Sequence, residues 1–238
     1  MQVIGIAGPA RVGKSYATNA LKDLAEGLGY TVEIIPFAKP LKDEAASMGF
    51  DKDTNPEEYR QFCQDEGSKM RAVNPDHWLN AWEKLVVATR DAHFANDKCP
   101  NPLLILADDV RYDNERDLIT NSKGITVFLH SGDRVLEDAS ASWRTHESEM
   151  LANTLVGDLD RAAELFDYVT LNNAKELEMQ AWAKTLLMND VFFPGTKAQQ
   201  CGCEGCNAAL GNRPVDKDQV MDDLDNWLNK MEDNDDDS

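Results

Sequence analysis

A chain of 238 residues, 42% hydrophobic and 28% charged, carries enough apolar material for one generous globular domain or a domain with a small appendage. The net charge of −19 argues against a long nucleic-acid groove, which needs clustered Lys and Arg. Ten of the acids lie between Asp216 and Ser238 beside only two lysines, so the body is mildly acidic and retains room for a local basic pocket.

Met1–Ala7 lacks a basic n-region, and no apolar run approaches the roughly 20 residues of a membrane span, so no membrane partner and a cytoplasmic location are expected. Taken in order, Val3–Ala7 reads as a short buried strand that stops at Gly8-Pro9. A helix follows over Lys14–Leu28, with Tyr16, Ala17, Ala20, Leu21, Leu24 and Leu28 on one face. "TVEIIPFA" is the second strand and "LKDEAASMGF" a short helix. Two long helical patterns come next, "PEEYRQFCQDEGSKMRAV" and "PDHWLNAWEKLVVATRDAH". "PLLILADD" is the most apolar strand, and "ITVFLH" and "DYVTLNN" are two more, each followed by a helix or loop. Strands alternating with helices predict a doubly wound parallel sheet of the α/β class.

Between the first strand and first helix stands Gly8-Pro9-Ala10-Arg11-Val12-Gly13-Lys14-Ser15, which matches G-x-x-x-x-G-K-[ST] in the setting a phosphate-binding loop requires. Glycines let backbone N–H groups turn toward phosphate oxygens, and the helix N-terminus adds a favourable field. Lys14 reaches the outer phosphates and Ser15 ligates Mg²⁺. Gly8, Arg11, Gly13, Lys14, Ser15 and Tyr16 form the expected ATP-binding set, with ATP and Mg²⁺ as co-substrate and cofactor.

Asp108 and Asp109 close the most apolar strand, where an open α/β sheet faces its ligand crevice. Either serves as a Mg²⁺ ligand beside Ser15, accepts a proton, or caps the following helix. Arg111 is placed to fork onto a phosphate. Arg60, Gln64, Gly67 and Arg71 recur at spacings that share one helix face, which suits either a binding surface or a solvated face.

The ordered set "GIAGPARVGKS", "FAKPLKDEA", "RQFCQDEGSKMR" with "DHWL", "DDVRYDNE", "HESE" and "DYVTLNNAKELEM" resembles the phage-type deoxynucleoside monophosphate kinases over residues 2–188. The resemblance implies a P-loop fold of the nucleoside monophosphate kinase type. It implies transfer of the γ-phosphate of ATP to a deoxynucleoside 5′-monophosphate with Mg²⁺, in the cytoplasm of a host if the chain is phage-encoded. It also implies Lys14, Asp109, Arg111 and, from a lid over 132–152, Arg144 as the catalytic group. Phe37, Lys39, Lys42, Arg60, Gln64, Arg71, Trp78 and Arg111 would line the acceptor site, with Lys39 standing where relatives often carry an acid. The expected organisation is a kinase domain over 1–190, with its acceptor-binding helices at 52–95, and a C-terminal extension over 191–238.

Two other functions stay open. One is a P-loop kinase whose acceptor is a hydroxyl on a modified pyrimidine nucleotide or on DNA. The other is a non-catalytic, nucleotide-dependent interaction module. Cys201, Cys203 and Cys206 supply three of the four ligands a structural zinc site needs, so zinc and a reduced cysteine-rich loop are both open, as is a homodimer.

Overall fold

A computed structural model describes residues 1–95, 101–130, 147–172 and 176–191. Its elements in chain order are β1 (Gln2–Ala7), α1 (Lys14–Gly27), β2 (Thr31–Ile34), α2 (Lys39–Ser47), α3 (Pro56–Val73), α4 (His77–Ala95) and β3 (Leu103–Val110). There follow α5 (Asp113–Asn121), β4 (Ile125–His130), α6 (Glu147–Val156), α7 (Leu159–Leu165), β5 (Tyr168–Leu171), α8 (Glu176–Leu186) and a π-helical turn over Leu187–Val191.

The five strands form one sheet in the order β2-β3-β1-β4-β5, and every pairing is parallel. Parallel strands need crossover helices, and helices on both faces leave the central strands no polar side, which explains why β3 opens as Leu103-Leu104-Ile105-Leu106-Ala107 with every residue buried. Successive side chains of β3 alternate between two cores. Leu103, Ile105 and Ala107 join a cluster with Trp82 and Val86 of α4, Ile119 of α5, and Ala152 and Leu155 of α6. On the other side α1 packs against α8, and Leu21 and Leu24 are fully covered. The sheet is the doubly wound α/β type expected from the sequence.

Several bounds differ from the sequence pattern. β2 ends at Ile34 rather than running to Ala38: the Ile35 N–H still donates to the Leu106 carbonyl at 2.9 Å, but Pro36 has no N–H to offer and the chain turns into α2. The region anticipated as a lid over 132–152 includes the first six residues of α6, and the rest lies outside the described residues. Arg144 and the three cysteines of "CGCEGC" also lie outside them. Among the described residues no helix is long and apolar enough to cross a membrane.

Candidate active site

The loop that follows β1 has the backbone its letters require. Gly8 and Gly13 take φ of 144° and 97°, and Arg11 also sits at a positive φ of 65°. A Cβ on Gly8 would stand 2.2 Å from the carbonyl oxygen of Leu129, a backbone atom of β4 that has no room to yield. Gly8→Ala is therefore expected to cost stability on the order of 1–3 kcal/mol, read as a fall in thermal midpoint together with weakened nucleotide binding. Gly13 caps α1 in a left-handed conformation with no side-chain hydrogen bond to the first turn, so the helix presents its N–H groups to the loop. The far side of the loop is tied down by Asn172, just past β5. Its Nδ2 donates to the Val12 carbonyl at 2.8 Å, and its own N–H donates to the His130 carbonyl at 2.7 Å.

Lys14 is the first residue of α1, and its Nζ donates to the carbonyls of Gly8 at 2.7 Å and Pro9 at 2.9 Å, inside the curve of the loop. Burial, and then the positive charge of Arg111, bring its pKa down to about 8, against the opposing pull of Glu149, Asp109 and Asp108. A triphosphate binds the ammonium form. Raising the pH through about 8 depletes that form in the free protein, so nucleotide affinity should weaken by about tenfold from pH 7 to pH 9. Isothermal titration of ATP across that range checks this, with Lys14→Arg, charged throughout, expected to show a flat profile over the same range.

Two neighbouring acids at the end of β3 have different surroundings. Asp108 Oδ2 accepts from Ser15 Oγ at 3.4 Å, and burial and then the adjacent Asp109 raise its pKa, which Lys42 and Ser15 oppose. Hydroxyl and carboxylate oxygens at the mouth of a phosphate loop are hard ligands of the type Mg²⁺ selects, so Ser15 and Asp108 fit the cation. Asp109 has different partners in this geometry. Its Oδ1 accepts the N–H of Phe37 at 2.5 Å and its Oδ2 the N–H of Ala38 at 3.0 Å. Both oxygens fasten the β2–α2 connection to the end of β3, and the N-cap of α5 is Tyr112 rather than Asp109.

Beside the loop opens a cavity of about 560 Å³ between α2, α3 and the end of β3. Arg11, Lys42, Lys52, Arg60, Arg71 and Arg111 bring positive charge to its wall. Leu41, Pro56, Tyr59 and Cys63 supply an apolar side, and Gln64 an amide. The helix α3 delivers Pro56, Tyr59, Arg60, Cys63, Gln64 and Arg71 because they share one helical stripe. Arg71 lies with its guanidinium carbon 4.1 Å from the centre of the Tyr112 ring, a cation–π contact. The Tyr112 hydroxyl donates to Glu147 of α6 at 3.4 Å, and Ser68 of α3 donates to the same carboxylate oxygen at 2.9 Å.

Arg111 is held at both ends. Buried Glu115 accepts its backbone N–H at 2.8 Å and that of Tyr112 at 3.2 Å, which fixes the chain where β3 turns into α5. Burial and then the charge of Asp109 push the Glu115 carboxyl up to about 8.

The structure gathers Lys42, Arg60, Gln64, Arg71 and Arg111 around one cavity and leaves Phe37, Lys39 and Trp78 out of it. Phe37 is 3% exposed and stacks on Trp82 with ring centroids 4.2 Å apart. Trp78 is 4% exposed, its Nε1 donating to the Gly67 carbonyl at 3.2 Å. Lys39 points to solvent and pairs with Asp43. These three are corrections: two aromatic rings are used in the core, and an i,i+4 ion pair takes the lysine. Gly67 is explained by the same packing, since a Cβ there would come within 3.2 Å of Leu41 of α2. Lys52, Tyr59, Tyr112, Ser148 and Glu149 line the cavity without having been singled out. For Tyr59 the signal was present, because it precedes Arg60 on the same stripe. Ser148 and Glu149 belong to the "HESE" segment, and tertiary packing brings them to the cavity wall. Among the described residues no group of three or more His, Cys, Asp or Glu is assembled for a metal ion.

No protein-family model matches the chain, and no curated protein matches it. Solved structures do match in outline. The chain is similar to shikimate kinase from Acinetobacter baumannii in complex with shikimate, at 14% identity and a TM-score of 0.40, covering 79% of this chain and 92% of that one. It is similar to shikimate kinase from Aquifex aeolicus at 11% identity and a TM-score of 0.40, covering 78% and 96%.

Proposed function

We propose that the chain is an ATP-dependent phosphotransferase that moves the γ-phosphoryl group onto a deoxynucleoside 5′-monophosphate, giving the diphosphate. The observation that carries this reading is the cavity beside the phosphate loop, with several cations on its wall next to an apolar side formed by Leu41, Pro56 and Tyr59. A small ester with an anionic end and a flat apolar body matches that division better than a purely hydroxylic acceptor, which brings no anion to the cations of the wall.

In the reaction an oxygen of the acceptor monophosphate forms a bond to Pγ while the bond from Pγ to the bridging oxygen of ADP breaks. The attacking oxygen is already anionic, so no general base is required. Asp109 is accordingly free to serve as a structural tether. Lys14 meets the β- and γ-phosphate oxygens, and the loop N–H groups hold the remainder of the donor. Arg111 and Arg71 draw the acceptor phosphate toward the loop against the repulsion of two anions, which is the largest barrier to approach. Ser15 and Asp108 would hold Mg²⁺, whose charge neutralises the phosphate oxygens.

The test is a panel of nucleoside monophosphates, nucleosides and duplex DNA incubated with labelled ATP and Mg²⁺ and resolved by chromatography. Diphosphate formation from a deoxynucleoside monophosphate, with little transfer to the matching nucleoside, is the expected result. Transfer to nucleosides or DNA in its place would assign a hydroxyl acceptor, and ATP binding with no transfer would assign a nucleotide-dependent interaction module.

A further inference from the structure

Two residues that local rules disfavour meet at one guanidinium. Tyr112 is the N-cap of α5 with no side-chain hydrogen bond to the first turn, at a position where Ser, Thr, Asp or Asn is preferred. Gly67 lies well inside α3, and glycine is the weakest helix former apart from proline. Both border Arg71. Its guanidinium carbon stands 4.1 Å from the centre of the Tyr112 ring, and a Cβ on Gly67, one helical turn back, would come within 3.3 Å of its Nη1.

The ring is fixed independently of the arginine. The Tyr112 N–H donates to Glu115 at 3.2 Å, and its carbonyl accepts from the N–H groups of Glu115 and Arg116, both at 3.2 Å, so the start of α5 sets the backbone under the ring. At the other end the hydroxyl donates to Glu147 Oε1 at 3.4 Å, the oxygen that also accepts from Ser68 at 2.9 Å. Ser68 and Arg71 are three residues apart on α3. One carboxylate therefore ties the helix that carries Arg71 to the ring that faces it. Gly67 is held too, its carbonyl accepting from Trp78 Nε1 at 3.2 Å.

Arg111 is set differently. Its Nη1 donates to Ser148 Oγ at 3.1 Å and pairs with Glu149 Oε1, both on α6. A carboxylate partner takes particular N–H donors and offsets the charge locally, whereas an aromatic face attracts the cation as a whole and leaves its charge in place. Arg71, Tyr112 and Arg111 all line the cavity.

We infer that Tyr112 is a positioning residue for Arg71: its ring is the platform that holds the guanidinium at the cavity wall, with Gly67 supplying clearance on the helix side. The kinetic consequence rests on the proposed phosphotransferase reading, in which Arg71 meets the acceptor phosphate. The placement of the guanidinium does not.

The experiment uses the full chain as wild type, Tyr112→Phe, Tyr112→Leu, Arg71→Ala and the double variant Tyr112→Leu with Arg71→Ala. Heteronuclear NMR of isotopically labelled arginine follows the Arg71 side chain without any ligand, its resonances assigned by their loss in Arg71→Ala. The current of an aromatic ring 4.1 Å away should place the Arg71 side-chain protons upfield of their ordinary position in the wild type and in Tyr112→Phe, and Tyr112→Leu should return them to it. With the monophosphate varied at saturating ATP, kcat/KM should fall about three- to tenfold in Tyr112→Leu, with Tyr112→Phe recovering most of the loss and the KM for ATP changing less than about twofold. In the Arg71→Ala background the same Tyr112→Leu change should cost less than about twofold, because the residue it acts through is gone. Losses that multiply in the double variant overturn the inference, since the ring would then act on the acceptor directly or on the fold. Arg71 protons at their ordinary position in the wild type overturn it as well, and that measurement needs no variant to fold. If the wild type transfers phosphate to no monophosphate, the phosphotransferase reading fails by itself and the Arg71 resonances alone decide this one.

Discussion

Lys14→Ala is expected to give a folded protein whose phosphoryl-transfer rate is lower by on the order of 10³-fold, the scale of removing one preorganised charge-stabilising donor. The ammonium sits inside the loop on the carbonyls of Gly8 and Pro9, at the place where charge on the β- and γ-phosphate oxygens is greatest in the transition state. Stability should not suffer in proportion. Burial disfavours the charged form of Lys14, so the folded state holds its proton less firmly than the unfolded chain does. The sign of the linkage follows: this group's contribution to stability rises with pH between about 8 and its ordinary value near 10.5, and below about 8 its burial cost is present in full. Removing the charge relieves that cost. A thermal melt near that of the wild type, together with lost turnover in the same preparation, is the expected pair of results. A folded variant with near-normal turnover would remove the loop from the chemistry.

The second large effect belongs to the acceptor side. Arg71→Ala should lower kcat/KM for the monophosphate tenfold to a hundredfold, about 1.5–3 kcal/mol for a lost charge-assisted contact, while the ATP dissociation constant stays within about twofold. Arg71 suits this test because its guanidinium stacks on Tyr112 at the wall of the cavity. Arg111→Ala should produce a similar kinetic loss with an added fall in thermal midpoint, because it strands Glu149 without its ion-pair partner. Steady-state kinetics with the acceptor varied at saturating ATP, then with ATP varied, separates the two sides. An unaltered acceptor KM and kcat in Arg71→Ala would reject the phosphate pocket.

The sheet and the phosphate loop were legible because their signals are local. A run such as Leu103–Ala107 has no polar side to offer, and the loop glycines declare a backbone that other residues do not adopt. The stripe Arg60, Gln64, Arg71 was legible as well, since α3 presents it by helical period alone. What escaped is settled by tertiary choice. Phe37, Trp78 and Trp82 carry the same letters whether a ring stacks on a base or fills a core, and here Trp82 takes the carbonyl of Ile35 at 2.8 Å and becomes part of the core. Asp108 and Asp109 are adjacent in sequence, and only the position of the β2–α2 connection decides that one faces Ser15 and the other two backbone N–H groups. Glu149 pairs with Arg111, 38 residues before it, a pairing that the α6 packing creates and the chain itself does not announce.

The strand order has a consequence for how the protein is made. The phosphate loop is synthesised well before β3 and β4, yet β1 lies at the centre of the sheet and finds its neighbours only in those two strands. Asn172, which pins Val12, follows later still. A nascent chain that stops before β3 therefore leaves β1 without its sheet neighbours, and a nucleotide is expected to act as a folding ligand only after Asn172 has been synthesised. Arrested nascent chains of increasing length, challenged with protease with and without ATP, should show protection by nucleotide beginning abruptly once residue 172 has cleared the exit tunnel.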